Sequence, residues 1–361
     1  MTMTASTRRP RIDRERFSIS HALESAGIPI LLVLLVLYFG FVSSVGDLFL
    51  SSGNLHNIFA NQSVTGLIAI GMVIPLVAGY FDLSVAAIAG LSSVTFASVS
   101  GTHGQPVISG IVAAIGVALV AGGINALLVA VLRLNPFIAT FGMYILIGGL
   151  LEWYTDGSPV GSGLPNSLGD FGNQEFLGIA ILFWLLMVLA LVAWYVLTQT
   201  PFGRVLTAIG SNENAARLAG FRVDRSLVIA FMGSALFGGM AGVVLTTRSM
   251  VADSTQAQSF LFPALAAVFL GQTAIRPGLN NVWGTMFGVF LVAVAVNGLQ
   301  LLGADTWVTP VFNGAALVIS VALSTLIARA RSRKATSILV NEVRQASVTE
   351  TPPQTEKVGT Q

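Results

Sequence analysis

Ten stretches of this chain are apolar over roughly the length of a membrane crossing, with short polar segments between them. At ~1.5 Å of rise per residue a crossing takes about 20 apolar residues. The stretches lie near residues 28–45, 58–79, 83–100, 107–132, 136–151, 177–197, 227–246, 260–275, 282–302 and 308–328. The fifth and eighth are short, and Pro263 inside the eighth predicts a broken helix there. Gly116 precedes Asn125 by the same interval as Gly288 precedes Asn297. Spans five apart cross in opposite directions, so spans two to five and seven to ten read as an inverted repeat of the kind transporters use.

Charge predicts the orientation. With charged residues at 9% of the chain, against ~25% in soluble domains, there is too little charge to clothe a water-exposed surface of this size. With the N-terminus in the cytoplasm, 17 of the 18 basic residues fall on the cytoplasmic side, and Arg248 is the exception. That positive-inside bias supports an even count of spans with both termini cytoplasmic. The first apolar run follows a basic leader of more than 20 residues with no small-x-small cleavage site after Val42, so it reads as a retained span rather than a signal peptide. The expected organisation is a basic cytoplasmic tail at 1–26, a membrane domain at 27–328 with a cytoplasmic loop at 199–226, and a cytoplasmic tail at 329–361. That last tail is polar and is expected to be disordered.

Several chemistries are missing. Cysteine is absent, which removes disulfides, thiolate metal sites and cysteine nucleophiles. His21, His56 and His103 fall in a tail or at loop edges, so neither a metal site nor a catalytic triad is expected. Lys334 and Lys357 are followed by Ala335 and Val358, which excludes the glycine-lysine-serine/threonine core of a phosphate-binding loop. A net charge of +2 gives no reason to expect nucleic acid as a partner, and no cofactor is implied.

Asp82, in the segment GYFDLS, is the carboxylate at membrane depth. It reads either as a cap for the third helix or as a gating or translocation residue. Asn61, Gln62, Asn125, Asn297, Gln300 and Asn313 are uncharged polar residues inside spans. Each must face a neighbouring helix or a wet path, and as a group they suit a neutral hydroxylated solute. Gly238 with Gly242, and Gly284 with Gly288, are spaced for close helix packing.

The loop between spans six and seven carries four arginines and a short helix signal. Ser211 or Asn212 can cap its start, Glu213 suits its positive end and Arg217 its negative end, and Gly220 can supply the left-handed stop. A helix this short is marginal alone, so its small residues Ala215, Ala216 and Ala219 point to docking in a partner's groove, with Ala216 expected on the groove-facing surface. The alternative is a plain connector.

The segments AIGSNENAARLAGFRV, NIFANQSVTGLIAIGMVIPLVAGYFDLSVAAIAGLSS, GGINALLVAVLRLNPFIATFG and VWGTMFGVFLVAVAVNGLQLLG together resemble the membrane permeases of ribose-type sugar ABC importers, a group that includes autoinducer-2 permeases. The resemblance runs from about Asn54 to Ala328. It implies a ten-span all-α fold in a bacterial inner membrane. It also implies a second permease subunit, a cytoplasmic ATP-binding-cassette ATPase and a periplasmic or extracellular sugar-binding protein. The loop helix would be the coupling helix, with Asn212, Glu213, Ala215, Ala216, Arg217, Leu218 and Gly220 as its coupling residues. Phe137 joins Asn61, Gln62, Asp82, Asn125, Asn297 and Gln300 as a candidate for the translocation path. The family usually has two glycines before Ile-Asp-Leu-Ser, whereas here Gly79 is followed by Tyr80 and Phe81, and Gln272 and Asn281 stand where small residues are usual.

The resulting expectation is a permease subunit, itself without ATPase activity, that imports a monosaccharide or similar solute by alternating access. An ion-coupled secondary transporter is the alternative, supported by the repeat and opposed by the lack of intramembrane acids. An intramembrane enzyme comes third.

Overall fold

A computed structural model of the chain describes residues 19–322, with side chains from residue 26 onward. The basic residues up to Arg16, the side chain of His21 and the C-terminal tail lie outside the described residues. In chain order the main helices are α1 (Ile19–Leu37), α2 (Ser52–Leu76), α3 (Val85–Ala97), α4 (Val107–Ala126), α5 (Pro136–Thr155) and α6 (Ile181–Gln199). They continue as α7 (Pro201–Ser211), α8 (Glu213–Leu218), α9 (Val223–Ser249), α10 (Leu261–Gly271), α11 (Val282–Leu301) and α12 (Val308–Ala322). Among the described residues seven helices are long and apolar enough to cross a membrane, and the apolar helices at Ala26–Val42, Gln256–Gly271 and Val308–Ala322 are shorter. The chain is thus an all-α polytopic membrane protein.

Several boundaries differ from the sequence reading. The fifth span is full length: Asn135 caps it by accepting the Ile138 amide at 3.3 Å, Pro136 occupies the first turn, and Asp156 ends it at φ 49°. Pro263 breaks nothing. It lies in the first turn of α10, where a missing amide hydrogen leaves no bond unmade, and the helix is short because a 3-10 turn at Gln256–Phe260 precedes it. The sixth span starts at Ile181 because residues 175–180 form a two-stranded hairpin, with Leu177 and Gly178 both at positive φ in its turn.

Burial separates inner from outer helices. The most apolar stretches of α2 and α3 are 83% and 78% buried, whereas those of α4, α5 and α6 are 28% buried and present their remaining surface outward. In lipid, exposing leucine costs little, so packing and interhelical hydrogen bonds hold such a bundle together. α9 lies at the centre against α2, α3 and α4. A side chain at Gly238 or Gly242 would strike the backbone of α3 at Val85 or Ala89, and Gly271, Gly284 and Gly288 bring α10 and α11 equally close. Ser92 donates to the Gly239 carbonyl at 2.6 Å, and Ser93 bonds Thr246 at 2.7 Å, fixing the register of α3 on α9. The paired spacing of Gly116 and Gly288 does not extend to their surroundings, since nothing stands within 4 Å of a side chain added at Gly116.

The chain's departures at Gln272 and Asn281 have structural roles. Asn281 caps α11 by accepting the Gly284 amide at 2.6 Å, and its own amide group donates to the Gly271, Ala274 and Leu279 carbonyls. Gln272 donates to Asn280 at 2.6 Å, and Asn280 donates to the Leu76 carbonyl at 3.0 Å, tying the α10–α11 turn to the end of α2.

Candidate functional site

The first half of α2, the starts of α10 and α12 and the second half of α11 line a cavity of about 480 Å³, within the size range of small-molecule sites. Asn61, Gln62, Asn297, Gln300, Thr309 and Asn313 supply its polar lining. On α2 the lining residues Asn57, Asn61 and Thr65 recur every four positions with Gln62 beside them, and Asn297 with Gln300 and Thr309 with Asn313 lie three and four apart, which places each set on one face of its helix. Among the described residues the lining carries no ionisable side chain. Asn297 is held at the edge by Asn54 through two side-chain bonds of 2.9 and 3.0 Å, and Gln300 donates to Thr309 at 3.1 Å. Asn313 is 7% exposed, and its Oδ1 has no hydrogen-bond partner among the described residues. A buried acceptor left unpaired costs about 1–3 kcal/mol, so that oxygen marks a place for a donor from a solute or water. Thr309 and Ser259 also line the cavity but carried no signal in the sequence, because hydroxyls in apolar helices commonly bond their own backbone.

Asp82 and Asn125 lie elsewhere, in a buried network of their own. Asp82 Oδ1 accepts the Ser84 hydroxyl at 2.6 Å and the Ser84 amide at 3.0 Å, while Oδ2 accepts the Ser234 hydroxyl of α9 at 2.7 Å. Asn125 of α4 donates to the Ser84 hydroxyl at 2.6 Å. The carboxylate therefore takes up an amide at the start of α3, as a cap does, and also joins α3, α4 and α9. Phe137 stands apart from both sets. It is 53% exposed near the start of α5 and stacks on Phe141 at 6.1 Å.

The loop forms two helices. α7 starts at Pro201 and buries Gly203, Leu206 and Ile209 along one side. Asn212 then caps α8 by accepting the Ala215 amide at 3.0 Å, and Gly220 follows at φ 85° with open space around it. Glu213 accepts from Arg217 at 2.9 and 3.1 Å, and Arg217 also pairs with Asp224 in the first turn of α9. Tyr80 donates its hydroxyl to Glu213 Oε2 at 2.8 Å. Desolvation, followed by the negative Glu213, pushes the Tyr80 phenol up to about 12. The Tyr80 hydroxyl and Arg217 hold the Glu213 carboxyl below its ordinary range, and Arg217 does the same for Asp224.

The orientation of α8 corrects one expectation. Ala216 points inward, 4% exposed, and belongs to the main apolar core, so it does not face a groove. The outward surface instead carries Ala215, Ala219 and Leu218, the last 90% exposed.

Residues 54–321 match the family described as branched-chain amino acid transport system / permease component. The chain is 34% identical over 319 residues to the ribose import permease protein RbsC of Bacillus subtilis (strain 168), covering 88% of this chain and 98% of that protein. It is 31% identical over 311 residues to RbsC of Escherichia coli (strain K12), covering 85% and 95%. To the D-allose transport system permease protein AlsC of the same strain it is 28% identical over 329 residues, covering 91% and 100%. No solved structure matches the chain.

Proposed function

This chain belongs to the transport-system permease family matched over residues 54–321, and from that premise we propose that it is the membrane subunit of an ATP-binding-cassette importer for a monosaccharide or a similarly hydroxylated solute. It resides in the bacterial inner membrane. The observation that carries the reading is the uncharged, amide-lined cavity with the open Asn313 acceptor. A sugar presents several hydroxyls, each both donor and acceptor, and needs no counter-charge, so amides and threonine hydroxyls satisfy it where carboxylates or arginines would be left buried and unpaired. The names of the relatives, ribose and allose permeases, favour the same solute class.

In this reading all ten apolar helices cross the bilayer and both termini are cytoplasmic, as the distribution of basic residues favours. α7 and α8 then lie on the cytoplasmic side, and the cavity opens towards the outside. α8 seats Leu218 in a cleft of a separate ATPase, which supplies the energy. A second permease subunit completes the path, and an external binding protein delivers the solute. Closure of the ATPase pair moves α8 and shifts the bundle between outward and inward access.

Purification of the tagged chain from its native membrane tests this. An ATPase polypeptide should accompany it, with hydrolysis stimulated by a sugar-loaded binding protein. A chain that purifies without any ATPase and transports solute on an ion gradient in proteoliposomes overturns it.

A further inference from the structure

The segment between α2 and α3 touches most of the bundle in six residues. Gly79, at φ 84°, ends α2, with its amide on the Leu76 carbonyl at 2.9 Å and the Tyr80 amide on the Pro75 carbonyl at 3.1 Å, the bond pattern of a Schellman stop. Tyr80 packs against the buried cluster of Ala126, Val129, Ala139 and Phe231, which places it by the end of α4 and the starts of α5 and α9. Phe81 lies 6.1 Å from Phe269 of α10, and the Leu83 amide donates to Thr140 of α5 at 3.2 Å. Asp82 then holds Ser84 and Ser234, and Ser84 holds Asn125. The segment is closed at both ends, so a displacement at Tyr80 cannot be absorbed by slack in the chain.

The Tyr80 hydroxyl bonds Glu213 of α8 across 133 positions of sequence. The other Glu213 oxygen is held by Arg217, which also holds Asp224 of α9. α8 thus has two polar attachments to the bundle, one through Arg217 to α9 and one through Tyr80 to the segment that links six helices.

We propose that Tyr80 is a positioning residue that transmits displacement of α8 into the 79–84 segment, through its hydrogen bond to Glu213. The proposal rests on the importer reading above and deepens it. It assigns a purpose to a tyrosine that stands where the resembled family usually has a glycine, a residue with no side chain to reach α8. The relay involves no chemical step; it requires only that the bond persist while α8 moves, and a hydrogen bond to a carboxylate is among the stronger kinds.

Tyr80→Phe removes the hydroxyl and leaves the packed ring. In the full complex reconstituted with its ATPase and binding protein, this variant should assemble in normal amount and hydrolyse ATP. Solute imported per ATP should fall by about tenfold, the factor that one hydrogen bond to a charged group is worth. Glu213→Ala should lower the same ratio, and adding Tyr80→Phe to it should lower it no further, because the bond is already gone. A purely structural role would instead lower assembly and uptake together. A wild-type ratio in Tyr80→Phe, or additive losses in the double variant, overturns the relay while leaving the importer intact. A wild-type chain that associates with no ATPase overturns the importer reading and the relay with it.

Discussion

Asn54 and Asn297, 243 positions apart in sequence, exchange two amide hydrogen bonds of 2.9 and 3.0 Å across the α2–α11 contact at the edge of the cavity. The pair joins two helices that both line the proposed solute site, so it fixes the width of that site. Replacing Asn297 by Leu leaves the Asn54 side-chain oxygen without its donor, while the Asn54 amide group keeps the Phe49 carbonyl at 2.9 Å, and removing both partners together is milder than removing one. Asn297→Leu should lower thermal stability in detergent, and Asn54→Leu in that background should cost little more. The coupling between them should be about 1 kcal/mol, near the range measured for interhelical hydrogen bonds in membranes. A double-mutant cycle on unfolding checks this.

The cavity itself makes a sharper demand. Asn313→Leu removes the buried acceptor without adding charge, and Asn61→Leu removes a second amide from the same space. Each should cut sugar uptake by about tenfold, the worth of a lost hydrogen bond or two, while ATPase association remains unchanged because both residues lie at the opposite end of the bundle from α8. Uptake kinetics and co-purification, measured on the same preparations, separate the two effects.

The outward face of α8 can be mapped by labelling, because the chain has no cysteine of its own. Leu218→Cys should react readily with a maleimide and become protected when the ATPase binds, whereas Ala216→Cys should react slowly in either state. Ala216→Arg should disrupt the loop itself by forcing a charged side chain into packed core, and not only its docking.

Asp82 separates two kinds of substitution. Asp82→Asn keeps an oxygen for the Ser84 amide, and the Ser234 hydroxyl can turn to accept from the new amide group. Asp82→Ala leaves those donors unpaired in a buried site, at about 1–3 kcal/mol for each. The asparagine variant should therefore insert and melt near wild type, and the alanine variant should melt well below it.

Titration reports the state of the relay. The raised Tyr80 phenol is stabilised in its neutral form, so this contribution is complete below the ordinary tyrosine value near 10 and is lost as pH rises through about 12. The Glu213 and Asp224 carboxyls shift the other way, so their contribution is complete above the ordinary carboxylate range and is lost as pH falls below it. Spectrophotometric titration of the five tyrosines should lose late-titrating amplitude near pH 12 in Tyr80→Phe relative to wild type.

Much of this was legible in the sequence because a bilayer leaves few options. Apolar stretches of membrane length, the Asn212 cap and the Gly220 stop follow from local rules; among the described residues seven stretches form helices long enough to cross and three form shorter apolar helices, and the cap and the stop lie where expected. The polar residues on α2 and α11 stood out in the sequence as amides inside apolar spans, and the structure gathers them at one cavity. Other features lay beyond local pattern. α8 is too short at six residues for periodicity to tell Ala215 from Ala216, so its inner and outer faces were not readable. The hairpin at residues 175–180 hid in an apolar run that continues into α6. Whether Asp82 and Asn125 joined the cavity or each other depended on how α3, α4 and α9 pack, and Tyr80–Glu213 is a contact between distant segments that no spacing announces.

The central claim is that ATP hydrolysed on a partner drives a neutral sugar through this chain. It is tested most directly in proteoliposomes that contain this chain and its ATPase, are loaded with ATP and carry the binding protein outside. Accumulation of labelled ribose, allose or fructose is then followed with and without a proton ionophore. Accumulation that requires internal ATP, survives the ionophore and falls in Asn313→Leu is the predicted result. Accumulation that proceeds without ATP or the ATPase, and collapses with the ion gradient, would contradict the account.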